Sequence, residues 1–245
     1  MKVAFKVWII AIGIAFTSCS NNDDASPKPV SNSTNKIMPL GASRVEGNRP
    51  EYESFRYELW KDLVENDWTF DFIGTQSDDA SYPSFNGLIF DRDHEGRGGW
   101  TSEQILNNID TWLAETGAPD IVLFSSPGGN DALQNLPYDQ AISNIKGIIS
   151  ALQNVNPNIT IIMEQLAATR SDAMTTELTT YFNQLKQDIV NVASEYSTSS
   201  SEVLIVDMYT GFTDSLFADD VHYNEAGAAF IANRYYSALQ NVLQD

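Results

Sequence analysis

The chain has 245 residues, of which 42% are hydrophobic, enough for one large domain with a buried core. Its 33 acidic and 14 basic residues give a formal net charge of −19. Because an acidic surface repels phosphate groups, we expect no nucleic-acid partner and no electrostatic docking on anionic lipid.

The first residues have the features of a secretory signal peptide. Lys2 and Lys6 precede an apolar run at residues 7–16, which is too short to span a bilayer comfortably. The run ends at Phe16-Thr17-Ser18-Cys19, which resembles a lipobox although Phe16 stands where Leu is more usual. This resemblance implies cleavage before Cys19 and lipidation of Cys19, so residues 1–18 are predicted to be a lipoprotein signal peptide. The alternative is an ordinary signal peptide with an incidental cysteine.

Residues 19–35 are predicted to form a flexible tether, because they are rich in Ser, Asn, Asp and Pro. Cys19 is the only cysteine, so no intrachain disulfide can form. The acidic run at residues 20–24 is similar to the export tag of surface lipoproteins in some Gram-negative bacteria. We therefore expect an exported protein, lipid-anchored in the outer membrane or at the cell surface of such a bacterium.

From residue 36 to residue 245, short apolar runs alternate with longer amphipathic segments. Strands are predicted at residues 37–40, 70–73, 121–125, 160–164 and 203–207, which are β-branched or aromatic and bounded by turn residues. Helices are predicted at about residues 52–65, 102–116, 138–154, 175–196 and 224–243. This alternation predicts one α/β domain, a flavodoxin-like three-layer α/β/α sandwich with about five parallel strands and helices on both faces. Its ligand crevice should lie outside the carboxyl ends of the strands.

Three residues able to do chemistry follow predicted strands. Ser43 comes directly after the first strand, Asn130 comes after the third, and His222 lies in the loop between the last strand and the last helix. Because the carboxyl ends of parallel strands meet at one edge, these side chains should lie close together.

A serine hydroxyl needs an adjacent base to act as a nucleophile at neutral pH. The chain has two histidines, and His222, in the loop before the last predicted helix, has a carboxylate three residues before it, Asp219. This carboxylate is suited to accept from Nδ1 and leave Nε2 facing Ser43. Asp220 is the competing carboxylate. His94 is expected to bond nearby backbone, the alternative being a place in the wall of the substrate cleft.

Four short motifs occur in a fixed order along the chain. They are Gly41-Ala42-Ser43, Gly98-Gly99-Trp100-Thr101, Gly128-Gly129-Asn130-Asp131 and Asp219-Asp220-Val221-His222. In this order they resemble the conserved blocks of the SGNH (GDSL-like) hydrolases, over residues 36 to 243. The resemblance implies that Ser43 is the nucleophile, His222 the base and Asp219 the residue that orients it. It also implies an oxyanion hole made of the Ser43 and Gly99 N–H groups and the Asn130 amide. Such a mechanism needs no metal and no organic cofactor.

The nucleophile block departs from that family in several places. Ala42 stands where the family has aspartate, and Arg44 and Glu46 are unusual after the serine. Outside that block, Pro127 stands directly before the third motif, where many relatives have an aliphatic residue. Because Ala42 lies outside the proton relay, we expect a loosened turn with retained activity. The departures are compatible with a subfamily that has a different substrate, or with decay towards a non-catalytic binder.

The flanks of the motifs, at residues 37–41, 56–60, 70–74 and 94–96, resemble carbohydrate esterases that remove acetyl groups from plant polysaccharides. We therefore expect a serine ester hydrolase whose partner is an acylated carbohydrate, acting through an acyl-enzyme. Two alternatives stay open. One is a lipase, lysophospholipase or thioesterase of the same family, and the other is a catalytically dead glycan-binding surface lipoprotein. The oligomeric state is open.

Overall fold

A computed structural model describes residues 28–244 of the chain. The predicted signal peptide, the lipidation site Cys19 and the first part of the predicted tether lie outside the described residues. No helix within residues 28–244 is both long and apolar enough to cross a membrane.

A single, mostly parallel sheet forms the middle layer. Its strands are β1 (Lys36–Gly41), β2 (Asp71–Phe72), β3 (Gln76–Ser77), β4 (Asp93–Gly96), β5 (Ile121–Phe124), β6 (Thr160–Gln165) and β7 (Val203–Asp207). The order is β3-β4-β1-β5-β6-β7, and only the β3–β4 pair is antiparallel. Strand β2 pairs with the start of β1 and β4 with its end, so the two together fill one strand position. The parallel sheet predicted from the sequence is confirmed, with β3 as an antiparallel addition at its edge.

Strands β3 and β4 differ from the prediction, which had neither. Strand β4 reads Asp-His-Glu-Gly and carries no apolar pattern, yet His94 and Glu95 are buried in it. Hydrogen bonds offset the cost of burying these two polar side chains. Gly96 N donates to His94 Nδ1, and Thr75 N donates to Glu95. A strand that buries polar groups in this way gives no periodic apolar signal.

The helices are α1 (Ser43–Glu46), α2 (Arg56–Glu65), α3 (Ser102–Thr116), α4 (Gly129–Leu133), α5 (Tyr138–Val155), α6 (Thr176–Tyr196) and α7 (Glu225–Leu239). The five predicted helices are present, and α1 and α4 are additional short turns. The first predicted helix begins four residues late, at Arg56. The residues before it pair instead as bridges, Asn48 with Tyr52 and Glu53 with Tyr223.

The two faces of the sheet carry separate hydrophobic cores, because successive side chains of a strand point to opposite faces. In β5, Val122 and Phe124 pack with apolar residues of α3, α5 and α6. Ile121 and Leu123 pack with residues of α2 and α7 on the other face. This arrangement confirms the three-layer α/β/α architecture and brings the loops after β1, β5, β6 and β7 to one edge.

Candidate active site

Ser43, His222 and Asp219 form a continuous hydrogen-bonded line at this edge. Ser43 Oγ lies 2.8 Å from His222 Nε2, and His222 Nδ1 lies 2.7 Å from Asp219 Oδ2. Ser43 is the first residue of α1, directly after the turn that ends β1, and it is largely buried. The geometry is that of a nucleophile, a base and a carboxylate that orients the base.

Hydrogen bonds within the loop after β7 hold the side chains of Asp219 and His222 against each other. Asp219 Oδ1 accepts from the backbone N–H groups of Val221 and His222, each at 2.7 Å. Partial burial acts to raise the pKa of Asp219, but the hydrogen bonds from His222 and Val221 outweigh it, and the pKa lies below its ordinary value. Asp219 is therefore ionised at neutral pH. The competing Asp220 is exposed, and its carbonyl accepts from Arg170 N.

Tyr52 stacks on the imidazole of His222, with ring centroids 3.8 Å apart and planes 13° apart. The sequence interpretation missed this contact because it placed Tyr52 in a helix. Burial, followed by the charges of Glu46 and Asp219, raises the pKa of Tyr52, so its phenol stays neutral. Its ring covers one face of His222, and no local sequence pattern pairs these two residues.

Gly99 and Asn130 are the other two residues predicted to contribute to the oxyanion hole. Gly99 has φ of +77°, a backbone conformation that favours glycine, and its carbonyl accepts from Gln134 Nε2 at 2.8 Å. Asn130, in the first turn of α4, donates one amide hydrogen to Trp100 O at 2.8 Å. The bond orients the amide and leaves its second hydrogen for a ligand. The N–H groups of Ser43 and Gly99 have no acceptor among residues 28–244. The N–H groups of Ser43 and Gly99 and the second amide hydrogen of Asn130 are therefore available as donors, as the predicted oxyanion hole requires.

A cavity of about 40 Å³ adjoins Ser43 and reaches into the core between the sheet and the helices of one face. Its walls are mainly apolar, and they include Trp100, Ile105, Leu133, Leu166 and Phe182. Trp100 also packs against Trp112, with ring centroids 5.5 Å apart. Trp100 therefore packs in the core and also lines the cavity.

His94, the other histidine, is buried in β4, and its Nδ1 accepts from Gly96 N at 3.0 Å. Burial and the positive charge of Arg56 lower the pKa of His94 to about 2, so its ring is neutral. The expectation that it bonds nearby backbone agrees with this geometry. Within residues 28–244, no group of three or more His, Cys, Asp or Glu side chains is placed to hold a metal ion.

The family model described as GDSL-like lipase/acylhydrolase matches residues 69–230. Among solved structures, the chain is similar to a carbohydrate esterase family 3 protein from Talaromyces cellulolyticus, with 28% identity and a TM-score of 0.71 over 84% of this chain and 97% of that chain. It is also similar to a family 3 carbohydrate esterase from Clostridium thermocellum, with 29% identity and a TM-score of 0.67 over 85% and 98%. A mutant acetyl esterase with acetate ion has 28% identity and a TM-score of 0.71 over 84% and 97%. No curated protein sequence matches the chain.

Proposed function

This chain belongs to the GDSL-like lipase/acylhydrolase family, and on that premise we propose that it is a serine esterase that removes O-acetyl groups from a carbohydrate or polysaccharide. The main support for the proposal is the pair of hydrogen bonds that links Asp219 to His222 and His222 to Ser43. The intact line also argues against the alternative of a dead glycan-binding protein.

The proposed reaction proceeds in two acyl-transfer steps. Ser43 Oγ attacks the ester carbonyl carbon while His222 Nε2 takes the hydroxyl proton, and Asp219 stabilises the imidazolium that forms. The carbonyl oxygen becomes an oxyanion bound by the Ser43 and Gly99 N–H groups and the Asn130 amide. Each such donor is worth about 3–4 kcal/mol of barrier. His222 then gives its proton to the leaving alcohol oxygen, the C–O bond breaks, and an acetyl-Ser43 ester remains.

Water completes the cycle by the same route. His222 takes a proton from the water as its oxygen attacks the acetyl-enzyme, and a second oxyanion forms in the same hole. Collapse of this intermediate returns the proton to Ser43 Oγ and releases acetate. The chain's own side chains supply every proton transfer in this scheme.

The size of the cavity beside Ser43 supports an acetyl group. Its volume is about 40 Å³, against about 450 Å³ for the open groove described next, so it is a narrow, mainly apolar recess. An acetyl group has three non-hydrogen atoms, whereas a long acyl chain has many more. The cavity therefore favours a short acyl group over the lipase and lysophospholipase alternative.

A second, open groove of about 450 Å³ supports a polyhydroxylated alcohol as the leaving group. Its lining is polar and includes Glu46, Asn48 and Gln76. Glu46 lies in the same turn as Ser43, and Asn48 pairs with Tyr52, whose ring stacks on His222, so the groove is lined by neighbours of the proposed catalytic residues. Amide and carboxylate groups are suited to bind sugar hydroxyls. The similarity to carbohydrate esterase family 3 structures, at 28% and 29% identity, further supports this substrate class.

The test is acetate release from a panel of O-acetylated polysaccharides, with wild type beside Ser43→Ala. We expect release by wild type and a loss of at least about 10³-fold in the variant. Equal release by both would refute the assigned nucleophile. Faster hydrolysis of a dodecanoate than of an acetate p-nitrophenyl ester would favour the lipase alternative. Glycan binding without any acetate release, retained in Ser43→Ala, would favour the dead-site alternative.

We also propose that the protein is exported and anchored by lipid on Cys19. The support is the sequence of residues 1–24 alone. Metabolic labelling with a fatty-acid analogue tests it, since Cys19→Ser should abolish both labelling and recovery in the membrane fraction. Labelling that persists in Cys19→Ser would refute the anchor.

A further inference from the structure

The short helix α1 carries more than the nucleophile. Ser43, Arg44 and Glu46 all lie within this one turn, and Ala42 occupies its N-cap without a side-chain hydrogen bond. Arg44 and Glu46 are two of the departures from the family pattern, and the reaction scheme gives neither of them a role. Their contacts show what they do in the fold.

Arg44 is buried directly behind Ser43 and joins three segments. Its Nη1 donates to Ala167 O at 2.6 Å and its Nη2 to Ala168 O at 3.0 Å, both in the loop after β6. Its Nε and Nη2 donate to Val221 O at 3.0 and 2.7 Å, in the loop after β7. The guanidinium also lies 4.8 Å from the ring centroid of Tyr223.

These contacts satisfy the buried charge with carbonyl oxygens. Within residues 28–244, no carboxylate oxygen lies within 4.0 Å of an Arg44 nitrogen. Burying a guanidinium costs free energy unless its N–H donors are paired. The loops after β6 and β7 are therefore held where their carbonyl oxygens can accept from the planar guanidinium of Arg44. Val221 directly precedes His222. Arg44 therefore positions the backbone of the base relative to the nucleophile.

Glu46 acts on the other side of the site. Its Oε2 accepts from Gly98 N at 2.6 Å, a short hydrogen bond to an ionisable acceptor. Gly98 directly precedes Gly99, whose N–H is assigned to the oxyanion. Glu46 is half-buried and Gly98 is exposed, so the hydrogen bond between them is open to solvent.

We infer that Arg44 and Glu46 are positioning residues, which together align the base and the oxyanion hole on the nucleophile through the single turn of α1. Arg44 holds the loop of His222, and Glu46 holds the loop of Gly99. The inference rests on the proposed esterase function. It also gives the unusual residues a role, since they supply from positions 44 and 46 the bracing of the turn that Ala42 does not provide.

Four variants test the inference with p-nitrophenyl acetate, namely Arg44→Lys, Glu46→Ala, Glu46→Gln and Ser43→Ala. Arg44→Lys keeps the charge but loses the fork, so we expect kcat to fall about 10–100-fold with KM within about 2-fold, as for a small misplacement of catalytic groups. Glu46→Ala should lower kcat about 10-fold. Glu46→Gln keeps an oxygen that accepts from Gly98 N and should restore kcat to within about 3-fold of wild type.

Arg234→Lys is the matched control, because Arg234 also donates to backbone carbonyls, those of Asp207 and Thr210, and none of its hydrogen bonds or ion pairs within residues 28–244 reaches Ser43 or His222. It should leave kcat unchanged. The rate of Ser43 labelling by a fluorophosphonate, normalised to folded protein, separates positioning from stability, since it should fall in Arg44→Lys and stay at the wild-type value in Arg234→Lys.

The possible outcomes distinguish failure of the positioning role from failure of the proposed esterase function. Wild-type kcat in both Arg44→Lys and Glu46→Ala, with Ser43→Ala inactive, would overturn the positioning role while leaving the esterase function intact. Full activity in Ser43→Ala would instead overturn the proposed function. If Arg44→Lys does not fold, the Glu46 pair decides, because an equal loss in Glu46→Ala and Glu46→Gln would contradict the hydrogen-bonding role of Glu46.

Discussion

The ring of Tyr52 lies parallel to the ring of His222, 3.8 Å from centroid to centroid, and covers one face of the imidazole. The backbone on either side of Tyr52 is anchored as well, because it pairs with Asn48, and Glu53 N donates to Tyr223 O at 2.8 Å. The backbone that carries the ring is thus held on both sides of Tyr52. The ring in turn limits rotation of the His222 side chain.

Tyr52→Ala should lower kcat for acetate esters about 10-fold, because the freed imidazole spends less time aligned on Ser43. Tyr52→Phe keeps the stacked ring and should stay within about 2-fold of wild type. Steady-state kinetics of the two variants check the prediction. An equal loss in both would show that the phenol oxygen, and not the ring, is what matters.

Asp219→Asn should reduce kcat by roughly 10²-fold or more. The amide would present an NH₂ group to His222 Nδ1 and favour the wrong tautomer for accepting the Ser43 proton. Asp220→Asn is the matched control, since the Asp220 side chain is exposed and does not contact His222 in the structure. A larger loss in Asp220→Asn than in Asp219→Asn would reverse the assignment of the carboxylate.

Ile105→Ala should shift acyl preference from acetate towards butyrate, because Ile105 lines the cavity beside Ser43. Ile109, one turn further along α3, is buried but does not line that cavity. Ile109→Ala should cost a similar amount of stability, about 2–5 kcal/mol, without changing the preference. The ratio of kcat/KM for p-nitrophenyl butyrate and acetate is the measurement. A ratio unchanged in Ile105→Ala would refute the cavity as the acyl pocket.

The free energy of unfolding should fall as pH rises from about 4 to about 7, through Asp91. Burial raises the pKa of Asp91 from 3.8 to about 7, despite hydrogen bonds from Phe72 N and Asp93 N that act to lower it. In this window the folded state holds a proton that the unfolded state has released, so stability is lost as pH rises, by up to about 4 kcal/mol.

Urea unfolding of wild type and Asp91→Asn at pH 5 and pH 8 checks this contribution. The variant cannot ionise at position 91, so its stability should change less between the two pH values. An identical pH dependence in both proteins would exclude Asp91 as the source.

Ala42→Asp should stabilise the fold by about 1 kcal/mol, because the introduced carboxylate can cap α1 by accepting from the backbone N–H of Arg44, its second residue. The activity should change little, since residue 42 lies outside the line from Ser43 to Asp219. Thermal unfolding and kcat are measured together. A rise in kcat above about 100-fold, or about 2.7 kcal/mol of barrier, would show that the natural turn limits catalysis.

Much of the architecture could be predicted because it depends on local apolar patterns. Strands such as β5 and helices such as α3 bury a regular set of side chains, and those sets are visible in the sequence. Strand β4 could not be found in this way, because its buried His94 and Glu95 are stabilised by hydrogen bonds rather than by apolar burial. Short α1 was missed for a related reason, since a single turn carries no periodicity.

The sequence by itself determined the order of the motifs, the alternation of strands and helices, and hence the edge of the sheet where Ser43, Asn130 and His222 meet. Only the tertiary structure decided that Asp219 rather than Asp220 contacts His222, that Tyr52 covers its ring, and that Arg44 ties the surrounding loops together. The physical reason is separation along the chain. Ser43 and His222 are 179 residues apart, and their 2.8 Å contact depends on the packing of every strand between them.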